Sequence, residues 1–232
     1  MKVTISRTSS PLHIAVGTAL IGHFTFTLAR SLYGGTPEDA LWISHVGTLV
    51  GGLGACLRNR RLIWLALVTC FGHHAFWIFD TLSWWLTGEF AVGATAYLKD
   101  YNLGGWIQAS NHFFTVPALL LLATLGGSVE KHAWFGSSAL FLLLTMTSLF
   151  FLPPTSNVNC AHAPWPGLET FVAVFVPLNP VSPAKYMLFI TAATVIGNYL
   201  PANLALAFIV PKFNELLTKR SARFPTAAPR GH

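Results

Sequence analysis

The chain has 232 residues, 53% of them hydrophobic and only 9% charged, with a formal net charge of +6. Soluble globular domains carry roughly 25% charged residues, so this composition excludes an ordinary soluble domain. Several apolar stretches reach the roughly 20 residues that cross a hydrocarbon core about 30 Å thick. The expected fold is an all-α, polytopic integral membrane helix bundle, formed as a single domain over residues 1–232.

Taken in chain order, the apolar runs predict helices near 11–33, 40–57, 62–86, 105–125, 133–152 and 184–210. The first follows MKVTISR but contains His13, Thr18 and His23 and lacks a small-residue cleavage site, so it is expected to be a permanent helix rather than a signal peptide. The stretch 168–178, LETFVAVFVPL, is too short to cross alone and precedes NPVSP, which predicts an interfacial or re-entrant piece. Counting it as a span makes seven spans the alternative to six. No internal repeat and no strand alternation interrupt this pattern. Cys56, Cys70 and Cys160 form neither a CxxC motif nor an even set, so no disulfide framework is expected.

Charge orients the helices. With the N-terminus inside, eleven of the fourteen basic residues fall on cytoplasmic segments, leaving only Arg30, Lys99 and Lys185 outside. The positive-inside rule then favours six spans with both termini cytoplasmic and a basic cytoplasmic tail at 213–232. A tail lying beside anionic lipid explains the net charge, and no nucleic-acid partner is needed. Trp84, Trp85 and Trp106 fit an aromatic belt at the external interface.

The fourth predicted helix carries an unusual stripe. Gln108, Asn111, His112 and Thr115 stand at i, i+3, i+4 and i+7 and share one face. Intramembrane polar side chains turn toward the bundle interior or a wet cavity, where partners exist. His112 lies six residues after Trp106, about 9 Å down the helix at 1.5 Å per residue. Two other helices bring polar groups to the same external end. The second carries Ser44, His45 and Thr48, with Gly47 and Gly51 as a small-xxx-small pair, and the third carries His73, His74, Trp77 and Asp80. Helical spacing puts His73, Trp77 and Asp80 on one face and turns His74 away by about 100°.

A hydroxyl and an imidazole in a partly dry pocket are the parts of acyl transfer. Serine needs a neighbouring base to take its proton, and imidazole accepts and returns one near neutral pH. Two other readings use the same residues. A metal-dependent membrane enzyme draws ligands from His45, His73, His74, His112, Cys160, His162 and Asp80, although no helix has HxxxH or ExxH spacing. A transporter or lipid-binding protein uses buried His and Asp to relay protons or hold a solute.

Several short motifs occur in a telling order: YGG at 33–35, WIS at 42–44, FWI at 76–78, GW at 105–106, His112 followed by Pro117, and PGLE at 166–169. In that order they resemble the androgen-induced-gene type of multipass membrane hydrolases, which cleave fatty acid esters of hydroxy fatty acids with a membrane-embedded threonine and histidine. The resemblance implies that His112 is the acid/base and that Ser44 occupies the threonine position, with Thr48 on the same face as the alternative nucleophile. It also implies a lipid substrate drawn from the bilayer and no cofactor. Gln108, Asn111 and Asp80 are then supporting polar groups, Gln108 or Asp80 orienting His112, and His45 and Trp77 line the substrate pocket.

Overall fold

Every regular element among the described residues is helical, and no strand occurs among them. The structure is a computed structural model that describes residues 9–164, Glu169 and 182–223. The expected interfacial piece at 168–178, all of PGLE except Glu169, and the end of the basic tail lie outside the described residues.

Helix α1 (Ser9–Tyr33) leads through a 3-10 turn (Pro37–Leu41) into α2 (Ile43–Cys56). The second helix starts at Ile43 rather than near 40 because Trp42 is extended, with ψ 135°, and cannot continue the turn before it. A tight bend joins α2 to α3 (Arg60–Thr87), whose first turn is capped by the Asn59 side chain accepting from Arg61 N at 3.0 Å and Leu62 N at 3.3 Å. Gly88, with φ +81°, ends α3 in the left-handed conformation that favours glycine. A second 3-10 turn (Ala96–Asp100) then precedes α4 (Leu103–Ala109), α5 (Asn111–Leu125) and α6 (Ala133–Phe151). After a short 3-10 turn (Val158–Cys160), helix α7 (Pro183–Thr194), a π-helical turn (Val195–Tyr199) and α8 (Leu200–Arg223) follow.

Two departures from the expected helices have local causes. The run expected as one helix at 105–125 is broken at Ser110 into α4 and α5. The last helix runs on through Pro211 to Arg223, so the start of the expected tail is helical. Its π turn lies just before Pro201, which has no N–H to donate back to the preceding turn, and π turns absorb such a mismatch in the hydrogen-bond ladder.

Helix α2 packs between α1, α3 and α5. A Cβ on Gly47 would meet Cys70 Sγ at 2.6 Å, and one on Gly51 would meet Leu119 at 2.9 Å, so both glycines let α3 and α5 approach the α2 backbone. The core around it joins Ile63, Trp64 and Leu67 of α3 to Leu119 and Leu122 of α5 and to Tyr199 and Leu206. Outside, large apolar side chains such as Phe26, Phe79, Leu143, Phe151, Leu188 and Phe208 face outward. In water such a surface would be unfavourable, whereas lipid accommodates it. Among the described residues, four helices are long and apolar enough to cross a membrane: Pro11–Tyr33, Arg60–Thr87, Ala133–Phe151 and Pro183–Lys219. Helix α2, with 14 residues, and α5, with 15, are shorter.

Candidate functional site

The break at Ser110 is what builds the site. In an unbroken helix the Ala109 carbonyl would accept from Phe113 N, but Phe113 N instead donates to Ser110 O at 2.9 Å. The Ala109 carbonyl is thereby released, and His112 Nδ1 donates to it at 2.9 Å. A carbonyl only accepts, so this bond places the proton on Nδ1 and leaves Nε2 with a lone pair. His112 is 8% exposed, and its Nε2 is not among the sealed atoms that lack a partner.

Asn111, next in sequence, ties α5 to α2. Its Nδ2 donates to Ser44 O at 3.3 Å and to Thr48 Oγ1 at 3.4 Å. Thr48 Oγ1 also donates back to Ser44 O at 2.8 Å and lies 3.1 Å from Thr115 Oγ1. The stripe Asn111–Thr115 thus meets the Ser44–Thr48 face. Thr48 is fully sealed and committed to this network, while Ser44 remains 8% exposed and its hydroxyl is not among the sealed, unpartnered atoms. No hydrogen bond links Ser44 Oγ to His112 Nε2.

On its other side the His112 ring lies against α3. Trp77 stacks on it at 4.3 Å between centroids with planes 12° apart, and His74 tilts against it at 4.6 Å. The α3 face toward His112 therefore consists of Trp77 and His74. His73, expected to share the face of Trp77, turns instead toward α6 and the π turn, with its Nδ1 at 3.0 Å from both Thr69 O and Asn198 Nδ2. Positions three and four apart straddle a helix face from opposite sides, and packing against Tyr199 and Phe141 draws His73 away.

Asp80 and Gln108 have partners other than His112. The Asp80 carboxylate accepts four hydrogen bonds from the loop after α3: from Val92 N, Gly93 N, Thr95 N and Thr95 Oγ1 at 2.7–3.2 Å. Gln108 Oε1 accepts from Arg30 Nη1 at 2.5 Å, and the guanidinium lies 5.8 Å above the Tyr101 ring. The group that orients His112 is the Ala109 carbonyl, because the helix break delivers it within one turn of the ring.

Sequence reasoning passed over Tyr97 and Asn159. Tyr97 Oη accepts from Trp77 Nε1 at 2.7 Å, and burial holds its phenol above the usual tyrosine range. Asn159 anchors the start of α2 from far along the chain, its Oδ1 accepting from Ile43 N at 2.7 Å and its Nδ2 donating to Leu41 O at 3.0 Å. Its left-handed φ of +57° was the only signal of the kind asparagine supplies, and it is visible only in the structure.

Several polar atoms around the site lack partners: His45 Nδ1, both ring nitrogens of His74, and Asn111 Oδ1. Buried polar atoms are normally paired, so these mark capacity for water or a polar ligand group. Among the described residues no three His, Cys, Asp or Glu side chains gather as metal ligands do. No protein-family model, no curated protein and no solved structure matches this chain.

Proposed function

We propose that the chain is a six-span integral membrane protein with both termini cytoplasmic, and that it hydrolyses lipid esters of the fatty acid–hydroxy fatty acid class. The charge distribution supports the topology. The 3-10 turn before α2 and helix α4 before α5 lengthen the two short helices toward a full crossing.

The observation that carries the chemistry is the tautomer of His112, fixed by Ala109 O, beside an Asn111 bonded to the backbone of Ser44. One residue thus presents a basic nitrogen, and its sequence neighbour holds the helix that bears the uncommitted hydroxyl. In the proposed reaction Ser44 Oγ attacks the ester carbonyl carbon as its proton passes to His112 Nε2. The tetrahedral adduct collapses, the alkoxide of the hydroxy acid leaves with that proton, and an acyl-serine remains. Water then attacks the acyl carbon, giving its proton to Nε2, and the fatty acid departs as Ser44 regains its hydrogen. The unpartnered Asn111 Oδ1 is an acceptor suited to the attacking water.

A fluorophosphonate probe tests the assignment on membranes carrying the full chain. Wild type and Thr48→Ala are expected to label, and Ser44→Ala and His112→Ala to lose labelling. Labelling that survives Ser44→Ala removes Ser44 as nucleophile.

A second reading, transport or lipid binding, draws on the helix broken at Ser110, because interrupted helices often mark solute sites within membranes. Solute flux in proteoliposomes that persists in Ser44→Ala would favour it over hydrolysis.

A further inference from the structure

Arg30 stands near the end of α1, and the groups it touches are neutral. Its Nη1 donates to Gln108 Oε1 at 2.5 Å, and its guanidinium lies 5.8 Å above the Tyr101 ring. A Cβ on Gly104 would meet Arg30 Nε at 3.2 Å, so the bare backbone of α4 forms a third wall around the cation. No carboxylate among the described residues comes within ion-pair distance of it. Asp39, whose charge also reaches Tyr101, accepts from Thr36 Oγ1 at 2.7 Å instead.

Donors remain open there. A guanidinium carries several N–H groups, and Gln108 takes one of them. Gln108 Nε2 donates to no group among the described residues and is not among the sealed atoms that lack a partner. Two side chains already fixed against each other therefore present free N–H groups side by side, which suits an anion with two oxygens.

Helix register places this cation relative to the site. A Cβ on Gly17 would meet Cys56 and Gly52, and one on Gly52 would meet Gly17 O and Ile21 N, so α1 and α2 run in opposite directions with Gly52 level with the turn from Gly17 to Ile21. Both helices rise equally per residue, so Ser44, eight residues before Gly52, lies level with the turn from Thr25 to Ala29. Arg30 follows directly. On α4 and α5, Gln108 precedes His112 by four residues, about 6 Å at 1.5 Å per residue. The guanidinium is thus about one turn beyond Ser44 and His112, toward the start of α2. On the buried face of the same helix, Thr27 Oγ1 and Ser31 Oγ recur one turn apart after His23 Nδ1, and all three atoms lack partners. Such a row marks capacity for polar groups that the protein itself does not supply.

We propose that Arg30 and Gln108 bind the free carboxylate of the lipid whose ester is cleaved at Ser44, a ligand whose identity rests on the hydrolysis proposed above. An ester of a fatty acid with a hydroxy fatty acid keeps one carboxylate, on the hydroxy acid. That half leaves when Ser44 is acylated, so Arg30 holds the leaving group close to the bond that breaks. Arginine forks match carboxylate geometry, and a neutral ester offers nothing in its place. Arg30 is therefore the residue that selects acids over neutral esters.

The test uses the purified full chain in detergent, with hydroxystearic acid, its methyl ester or an alkyl phosphate of the same length added and retention read by native mass spectrometry. Wild type is expected to retain the acid about tenfold over the methyl ester, as a charge-assisted contact implies. Arg30→Gln should lose that preference while retaining the methyl ester as wild type does, which also reports an intact fold. Arg30→Lys keeps the charge without the fork and should keep only part of the preference. If Arg30→Gln does not fold, the comparison of wild type with Arg30→Lys decides. Lys212→Gln should change nothing, because α8 meets α5 at Thr124, the end of α5 away from Gln108. Equal retention of acid and ester by wild type, an unchanged preference in the Arg30 variants, or stronger Arg30-dependent retention of the alkyl phosphate than of the acid would overturn the proposal. Retention needs no turnover. A missing preference with Ser44 still labelled by fluorophosphonate overturns this site alone, and an Arg30-dependent preference where Ser44 takes no label supports the site and removes the hydrolysis.

Discussion

The indole of Trp77 lies flat on the imidazole of His112, with centroids 4.3 Å apart, and its N–H is held by Tyr97 Oη at 2.7 Å. A loop residue outside the helices thus sets the ring that backs the proposed base. Tyr97→Phe leaves the indole N–H without its acceptor inside the protein, at a cost of about 1–3 kcal/mol. Thermal unfolding in detergent should show the loss, and ester hydrolysis should fall with it. An unchanged melting temperature would mean the bond contributes nothing.

Tyr97 also predicts a pH dependence. Burial raises its pKa in the fold, as it does for Tyr101, so the folded state keeps those protons when the unfolded chain releases them. Stability from these groups is therefore fully present below the unfolded value of about 10 and falls as pH rises above it. The decline is up to about 1.4 kcal/mol per pH unit per group. Denaturant unfolding from pH 8 to 11 should show a shallower decline in Tyr97→Phe than in wild type. Parallel curves would contradict this.

Asp80→Asn tests the loop that carries Tyr97. Both carboxylate oxygens accept from N–H or O–H donors, and an amide would point its NH2 at one pair of them. The expected cost is about 3 kcal/mol, since hydrogen bonds to a charged acceptor are the stronger kind. Hydrogen exchange at Val92 and Thr95 amides should accelerate. Protection equal to wild type would show that the carboxylate is not what holds the loop.

Thr48 is a structural hydroxyl on this account. Thr48→Val strips the partner from the sealed Thr115 Oγ1 and should destabilise by about 1–3 kcal/mol. The double variant with Thr115→Val should lose less than the sum of the two single changes, because both act on one contact. Fluorophosphonate labelling should persist in each. Loss of labelling in Thr48→Val with the fold intact would transfer the nucleophile to Thr48.

His112→Asn separates orientation from chemistry. The asparagine amide can reproduce the Nδ1 bond to Ala109 O but has nothing in place of Nε2. It should melt closer to wild type than His112→Ala and still fail to hydrolyse ester. Activity in His112→Asn would remove Nε2 from the mechanism.

Part of this arrangement was legible in the chain. The i, i+3, i+4, i+7 stripe from Gln108 to Thr115 pointed inward as helical geometry requires, and Asn111 and Thr115 meet the Ser44–Thr48 face. Gly47 and Gly51 marked where α3 and α5 come close to α2. The break at Ser110 was hidden, because it depends on which carbonyl receives the Phe113 amide rather than on a proline or glycine at that point. Which of the adjacent histidines faces His112 was equally hidden, since His73 and His74 both lie within reach of the Trp77 face and distant partners decide between them. Asp80 looked like a site carboxylate, yet its four donors come from a loop whose path periodicity does not describe. The link from Asn159 to the start of α2 spans more than a hundred residues and leaves no local pattern.

The most direct measurement is the mass of the covalently modified peptide after the full chain, in membranes, reacts with a fluorophosphonate. The account predicts a single adduct on Ser44, formed in wild type and absent in His112→Asn. An adduct on any other side chain, or one that forms equally well without the imidazole, would contradict it.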